Sequence, residues 1–295
     1  MSVLPILVLL SGLVACGVLL TLLMRRGPRQ PAAAPGDIPR AIARRTAVLR
    51  WTGVTLGVIV GVVAARSGDL GTGLLMAAPL FGLCTLIGVL AGELTIRPPH
   101  GPTRTAAVEV RRIRDYLPRH LSRVVAAAGG GLLVLLTATT AAGGPDDMGR
   151  PGRSLTRQCT SDTVESHGPW PGLFYTWPLL VVVLVGLLMG YLAVRTIVRR
   201  PRSGSTGDLA VDDALRRRAA RVVTGAVGVL IAIPLAGVSL IAAGGLLDIS
   251  CAPTWWTITG WALLAVVPAS LAMVTWCAVA LVTPLDRADP LVGAR

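Results

Sequence analysis

The stretch LFYTWPLLVVVLVGLLMGYLAVRTIVRR, residues 173–200, decides the fold. Residues 173–194 carry no charge, and arginines then arrive at Arg195, Arg199 and Arg200. Roughly 20 apolar residues in a helix cross about 30 Å of hydrocarbon, so an uncharged aliphatic run of this length is read as a membrane span. Basic residues beside such a span are retained on the cytoplasmic side during insertion, so the run also has a direction.

Six more stretches follow the same rule: 3–24, 47–65, 70–92, 124–142, 222–243 and 255–282. The chain of 295 residues is 53% apolar and 15% charged, with a mean hydropathy of +0.68. Soluble domains carry about 25% charged residues. The expected fold is therefore all-α, a polytopic transmembrane helix bundle of seven spans. It forms one transmembrane domain, 1–295, with an extracytoplasmic loop at 143–172.

All 28 basic residues are arginine. Assigning alternate loops to one side places 24 of them there and four (Arg66, Arg150, Arg153, Arg157) on the other. This predicts a plasma-membrane protein with its N-terminus outside and its C-terminus cytoplasmic. The net charge of +13 needs no nucleic acid, because basic span flanks account for it. Arg50 is expected in the first turn of its span, snorkelling to headgroups. The first span has no basic n-region, which favours an uncleaved helix. Leu13-Val14-Ala15-Cys16 resembles a lipoprotein box, but the chain stays apolar after it.

Two sequence blocks recur 98 residues apart. Residues 88–97 and 186–195 share G-x-L-x-G-x-L-x-[IV]-R, and Asp115, Arg119 and Arg123 align with Asp213, Arg217 and Arg221. Ala141-Ala-Gly-Gly144 recurs as Ala242-Ala-Gly-Gly245. The expectation is one helix followed by three diverged two-helix hairpins. Residues at i, i+4 and i+8 share a helix face, so each Asp/Arg/Arg set predicts a stripe on a short surface helix entering the membrane. Two readings of that stripe stay open: an anchor on anionic headgroups of the bilayer, or a docking surface for a cytoplasmic protein partner.

Gly53, Gly57 and Gly61 form tandem GxxxG steps, and Gly88/Gly92 and Gly186/Gly190 repeat the spacing. Such steps let helix backbones approach closely, within one chain or in a homo-oligomer. Trp170, Trp177, Trp255, Trp256 and Trp261 are placed at the outer membrane interface, where amphipathic rings settle. Cys159 and Cys251 fall in predicted outer loops, where oxidation is permitted, and are expected to form a disulfide. Cys16, Cys84 and Cys277 read as packing residues.

No catalytic, cofactor or metal residues are expected. The chain holds no P-loop, HExxH, GxSxG or carboxylate pair within a span. Glu93, beside Arg97, is the acidic residue deepest in a span and reads as interfacial. The leading expectation is a non-enzymatic accessory, scaffold or sensor-partner protein. The alternative is a transporter or channel for a neutral or apolar solute, its broken helices bearing Pro234 and Pro268.

Three parallel two-helix units with a surface helix between them resemble the mitochondrial carrier plan. The carriers' Pro-x-acid-x-x-base signature is missing at the span ends, so no function is carried over. Lys and Asn are absent. In span layout and composition the chain resembles uncharacterised multi-pass integral membrane proteins of actinobacteria, a resemblance that implies no activity.

Overall fold

The protein is described by a computed structural model covering residues 40–67, 69–94, 113–199 and 209–282. The expected first span 3–24, Cys16 and the Arg97 end of the first repeat block lie outside the described residues.

Six long helices make up the described fold: α1 Arg40–Arg66, α2 Thr72–Leu94, α3 Arg119–Ala142, α4 Leu173–Arg199, α5 Leu209–Asp248 and α6 Thr254–Val282. All six are long and apolar enough to cross a membrane. A two-stranded antiparallel sheet, β1 Leu155–Gln158 and β2 Val164–His167, lies between α3 and α4. The hydropathy pattern located each span but not the full helix. α1 begins at Arg40 and α5 at Leu209, because Ala-, Leu- and Arg-rich sequence favours helix beyond the hydrocarbon.

The spans show large apolar side chains on their outer faces, among them Leu56, Ile59, Val63, Val134, Leu188 and Ile258. In water such continuous apolar faces would be a liability; against lipid tails they cost nothing. The centre is α5, whose apolar stretch is 67% buried, against 22–33% for the other five helices. Its Leu230 lies against Gly82 of α2 and Gly186 of α4, and its Ile231 reaches Gly129 of α3.

α1 and α2 pack closely along their length, as do α5 and α6. The expected second hairpin is different. α3 and α4 touch at few positions; α3 packs on α5, and α4 packs on α2 and α5. The G-x-L-x-G block is helical in both α2 and α4 over its described residues, but the other two repeated blocks adopt different local structures. Asp115 closes a 3₁₀ turn, Ile113–Asp115, and Pro118 separates it from α3, so Asp115 shares no helix with Arg119 and Arg123. Proline disfavours helical geometry in the residue before it, which explains the break. Asp213, Arg217 and Arg221 instead lie within continuous α5. Gly143 ends α3, whereas its counterpart Gly244 sits inside α5.

Candidate functional site

The two ends of the bundle carry different chemistry. One end is closed by a cap built from residues 143–172. Asp146 accepts from the backbone N–H groups of Met148 and Arg150 and pairs with Arg153 Nη1 at 2.5 Å. Burial pushes the Asp146 carboxyl upward, but the two backbone donors and the Arg153 and Arg150 charges outweigh it and hold it below the ordinary carboxylate range. The Arg153 guanidinium also lies over Phe174 and Tyr175, 5.3 and 5.9 Å from their ring centres. Gly152 has φ +73°, and a Cβ there would meet Leu173 N at 2.3 Å, so both conformation and space require glycine.

Side-chain bonds fix this cap to the helices. Trp170 Nε1 donates to Thr139 O of α3 at 2.8 Å. At the same end, Tyr175 Oη of α4 itself donates to Leu70 O of the α1–α2 turn at 2.8 Å. The Cys159 and Cys251 sulfurs are bonded to one another, tying β1 to the α5–α6 turn. Around that disulfide, Arg157 Nε donates to Cys251 O at 3.2 Å while its guanidinium stacks on Trp256. Glu165 accepts from the Ser250 hydroxyl and, at 2.8 Å, from the Ser250 N–H. Those donors hold the Glu165 carboxyl below its ordinary value. His167 Nδ1 lies 2.8 Å from Asp248 Oδ2.

Cys159, Cys251 and Glu165 bring their ligand-type atoms within 4.8 Å of one another. Both sulfurs are spent in the disulfide and the carboxylate holds Ser250, so this cluster is not an open ligand set.

Of the five tryptophans expected at the outer interface, Trp177, Trp255 and Trp261 are exposed at the helix ends. Trp170 is buried, and Trp256 underlies Arg157. These two serve the cap's interior, because each indole offers a large apolar surface and Trp170 also finds a carbonyl for its N–H.

At the opposite end, two arginines cap helices other than their own. Arg216 of α5, 1% exposed, donates through Nη1 to Ile197 O at 2.9 Å and Val198 O at 3.1 Å. Arg50 of α1 donates through Nη1 to Leu281 O of α6 at 2.9 Å. The last carbonyls of a helix have no partner within it and carry its negative partial charge, so a guanidinium satisfies both needs. Arg50 lies near the start of the apolar span Thr46–Arg66, as expected, although α1 itself begins about three turns earlier; its guanidinium donates to a protein carbonyl rather than only to headgroups. Sequence alone offers Arg216 only as part of the basic run Arg216, Arg217 and Arg218 for a cytoplasmic partner, and its burial against the end of α4 corrects that expectation.

The candidate surface residues Asp115, Arg119 and Arg123 are all exposed, as are Arg217 and Arg221. Asp213 is half-buried and accepts from Tyr116 Oη at 3.2 Å, joining the turn before α3 to α5. Arg195 and Arg199 of α4, with Tyr191, Val198 and Ile113, line an open indentation of about 290 Å³ beside that joint.

The glycine steps are divided between partners. A Cβ on Gly53 would meet Gly88 Cα at 2.8 Å, and Gly57, Gly61 and Gly92 also face across the α1–α2 seam. Gly186 and Gly190 face Leu230 and Val227 of α5. The tandem steps of α1 are thus covered by α2 of the same chain, so that face is not open to a second copy. α5 and α6 run unbroken through Pro234 and Pro268, so the broken helices expected of the transporter reading do not occur there.

No known protein family matches this chain, and no significant match was found among curated proteins or solved structures.

Proposed function

We propose that this chain is a non-enzymatic integral protein of the plasma membrane that displays an arginine-bearing face to a cytoplasmic protein partner. The N-terminus would lie outside and the C-terminus inside. One observation carries this reading: the disulfide-linked cap and the capping arginines occupy opposite ends of the same helices. Disulfides persist in the oxidising space outside a bacterial membrane, and arginine-rich flanks remain within the cytoplasm. The two signals are chemically independent and agree.

Arg217 and Arg221 are the residues to test for a partner, because both are exposed on the same face of α5. Arg216 is excluded from that role, because it holds the end of α4. A C-terminal alkaline phosphatase fusion should be inactive, and activity would reverse the topology. Maleimide should leave Cys159 and Cys251 unlabelled without a reductant. Charge reversal at Arg217 and Arg221 should abolish co-purification of a soluble protein captured by the wild-type chain while leaving the melting temperature unchanged. Unchanged capture would remove the docking role.

A further inference from the structure

We infer that Tyr191, Arg195 and Arg199 form a binding site for the phosphate of an anionic phospholipid. The three residues are spaced four apart on α4, so they stand on one helix face. They line the open indentation together with Val198 and Ile113, and among the described residues no acidic side chain lines it. Among the described residues, neither Arg195 nor Arg199 forms an ion pair with a carboxylate. Two planar guanidiniums match the oxygen geometry of a phosphodiester, and the Tyr191 hydroxyl adds a third donor.

The position along α4 selects a lipid. Trp177 and Arg195 are 18 residues apart, about 27 Å along a helix, close to the hydrocarbon thickness of about 30 Å. Trp177 therefore lies at one membrane interface when Arg195 reaches the other. Between them Val181, Leu184 and Leu188 are exposed and lead towards Tyr191. An acyl chain lying on that column would leave its phosphate level with the arginines. Soluble phosphate esters have no use for the column.

The indentation has a fixed wall. Ile113 belongs to the 3₁₀ turn that precedes Tyr116, and Tyr116 is held to Asp213. The floor is the last turn of α4, whose Ile197 and Val198 carbonyls are occupied by Arg216. That cap brings a full positive charge to carbonyls whose negative partial charge would otherwise oppose an anion.

This inference rests on the membrane reading proposed above, and the test separates the two. Extraction comes first: a chain released from membranes by carbonate, without detergent, would refute the membrane reading itself. Given detergent-dependent extraction, the purified chain is mixed with phosphatidylglycerol, phosphatidylcholine or glycerol 3-phosphate, and bound adducts are counted by native mass spectrometry. Phosphatidylglycerol adducts are expected to exceed phosphatidylcholine adducts about tenfold, with none from glycerol 3-phosphate. Arg195→Gln with Arg199→Gln should remove that preference, and Arg119→Gln with Arg123→Gln, an equal charge loss at the same end, should keep it. Equal loss in both double variants would mean diffuse attraction and overturn the site, as would equal binding of the two lipids or uptake of glycerol 3-phosphate. Arg199→Gln alone, at an exposed position, should lower the preference severalfold and serves if the double variant does not fold.

Discussion

Residues 67–71 join α1 to α2, and residues 143–172 join α3 to α4. Both pairs are neighbours in sequence and antiparallel in space, and α2 and α4 share the same glycine spacing. The short connection forces adjacency: Gly53 and Gly88 bring the α1 and α2 backbones together at distances where a single methyl would not fit. The long connection folds into a cap of its own, so α3 and α4 can stand apart and use α5 instead. Gly186 then receives Leu230 from α5 rather than a backbone from its sequence neighbour. A small-residue step therefore specifies that something packs closely, while loop length decides what.

The largest expected effect breaks the second arrangement at its fastening. Cys159→Ser should destabilise the chain by about 2–4 kcal/mol in detergent unfolding, since the bridge spans a sequence separation of 92. Proteolysis should then open the cap while sparing the α1–α2 seam. Arg216→Met should come next, at about 1.5–3 kcal/mol, because α4 loses a charged donor to two terminal carbonyls. Amide exchange should speed at Ile197 and Val198 and stay slow at Leu132.

The two glycine seams can be compared directly. Gly88→Ala should cost about 1–3 kcal/mol, since its methyl meets backbone atoms of Leu49 and Gly53 that do not yield. Gly186→Ala should cost less in the same unfolding assay, because the Leu230 tip can rotate away. Equal losses would mean that both seams are equally rigid.

Acid should act on the cap. Asp146 and Glu165 bind protons more weakly when folded, so the unfolded cap takes up protons first as pH falls. Their support is complete above the ordinary carboxylate range near about pH 4 and fades below it. Near-ultraviolet circular dichroism of Trp170 and Trp256 should report the change while helix content holds. The smallest effect is expected at Gly130, where a Cβ meets nothing within 4 Å. Gly130→Ala should shift stability by no more than about 1 kcal/mol, towards stabilisation, through helix propensity alone.

Hydropathy made six of these helices legible to within a few residues at their membrane-embedded ends, because burying uncharged aliphatic runs in hydrocarbon is a local demand. The pairing of Cys159 with Cys251 was readable from compartment logic. Arg216 was not readable, because one buried arginine among Arg216, Arg217 and Arg218 leaves no mark in composition. The cap's β1–β2 hairpin was equally hidden in a loop whose short strands carry weak alternation.

By itself, the sequence determined how many of the described segments are apolar enough to cross a membrane and which end of each carries arginine. Both follow from the transfer energies of side chains near their own positions. Tertiary structure alone decided that α3 leaves α4 for α5, that two arginines cap foreign helices, and that the similar Asp/Arg/Arg stretches fold differently. Those outcomes depend on partners distant in the chain, and local composition carries no record of them.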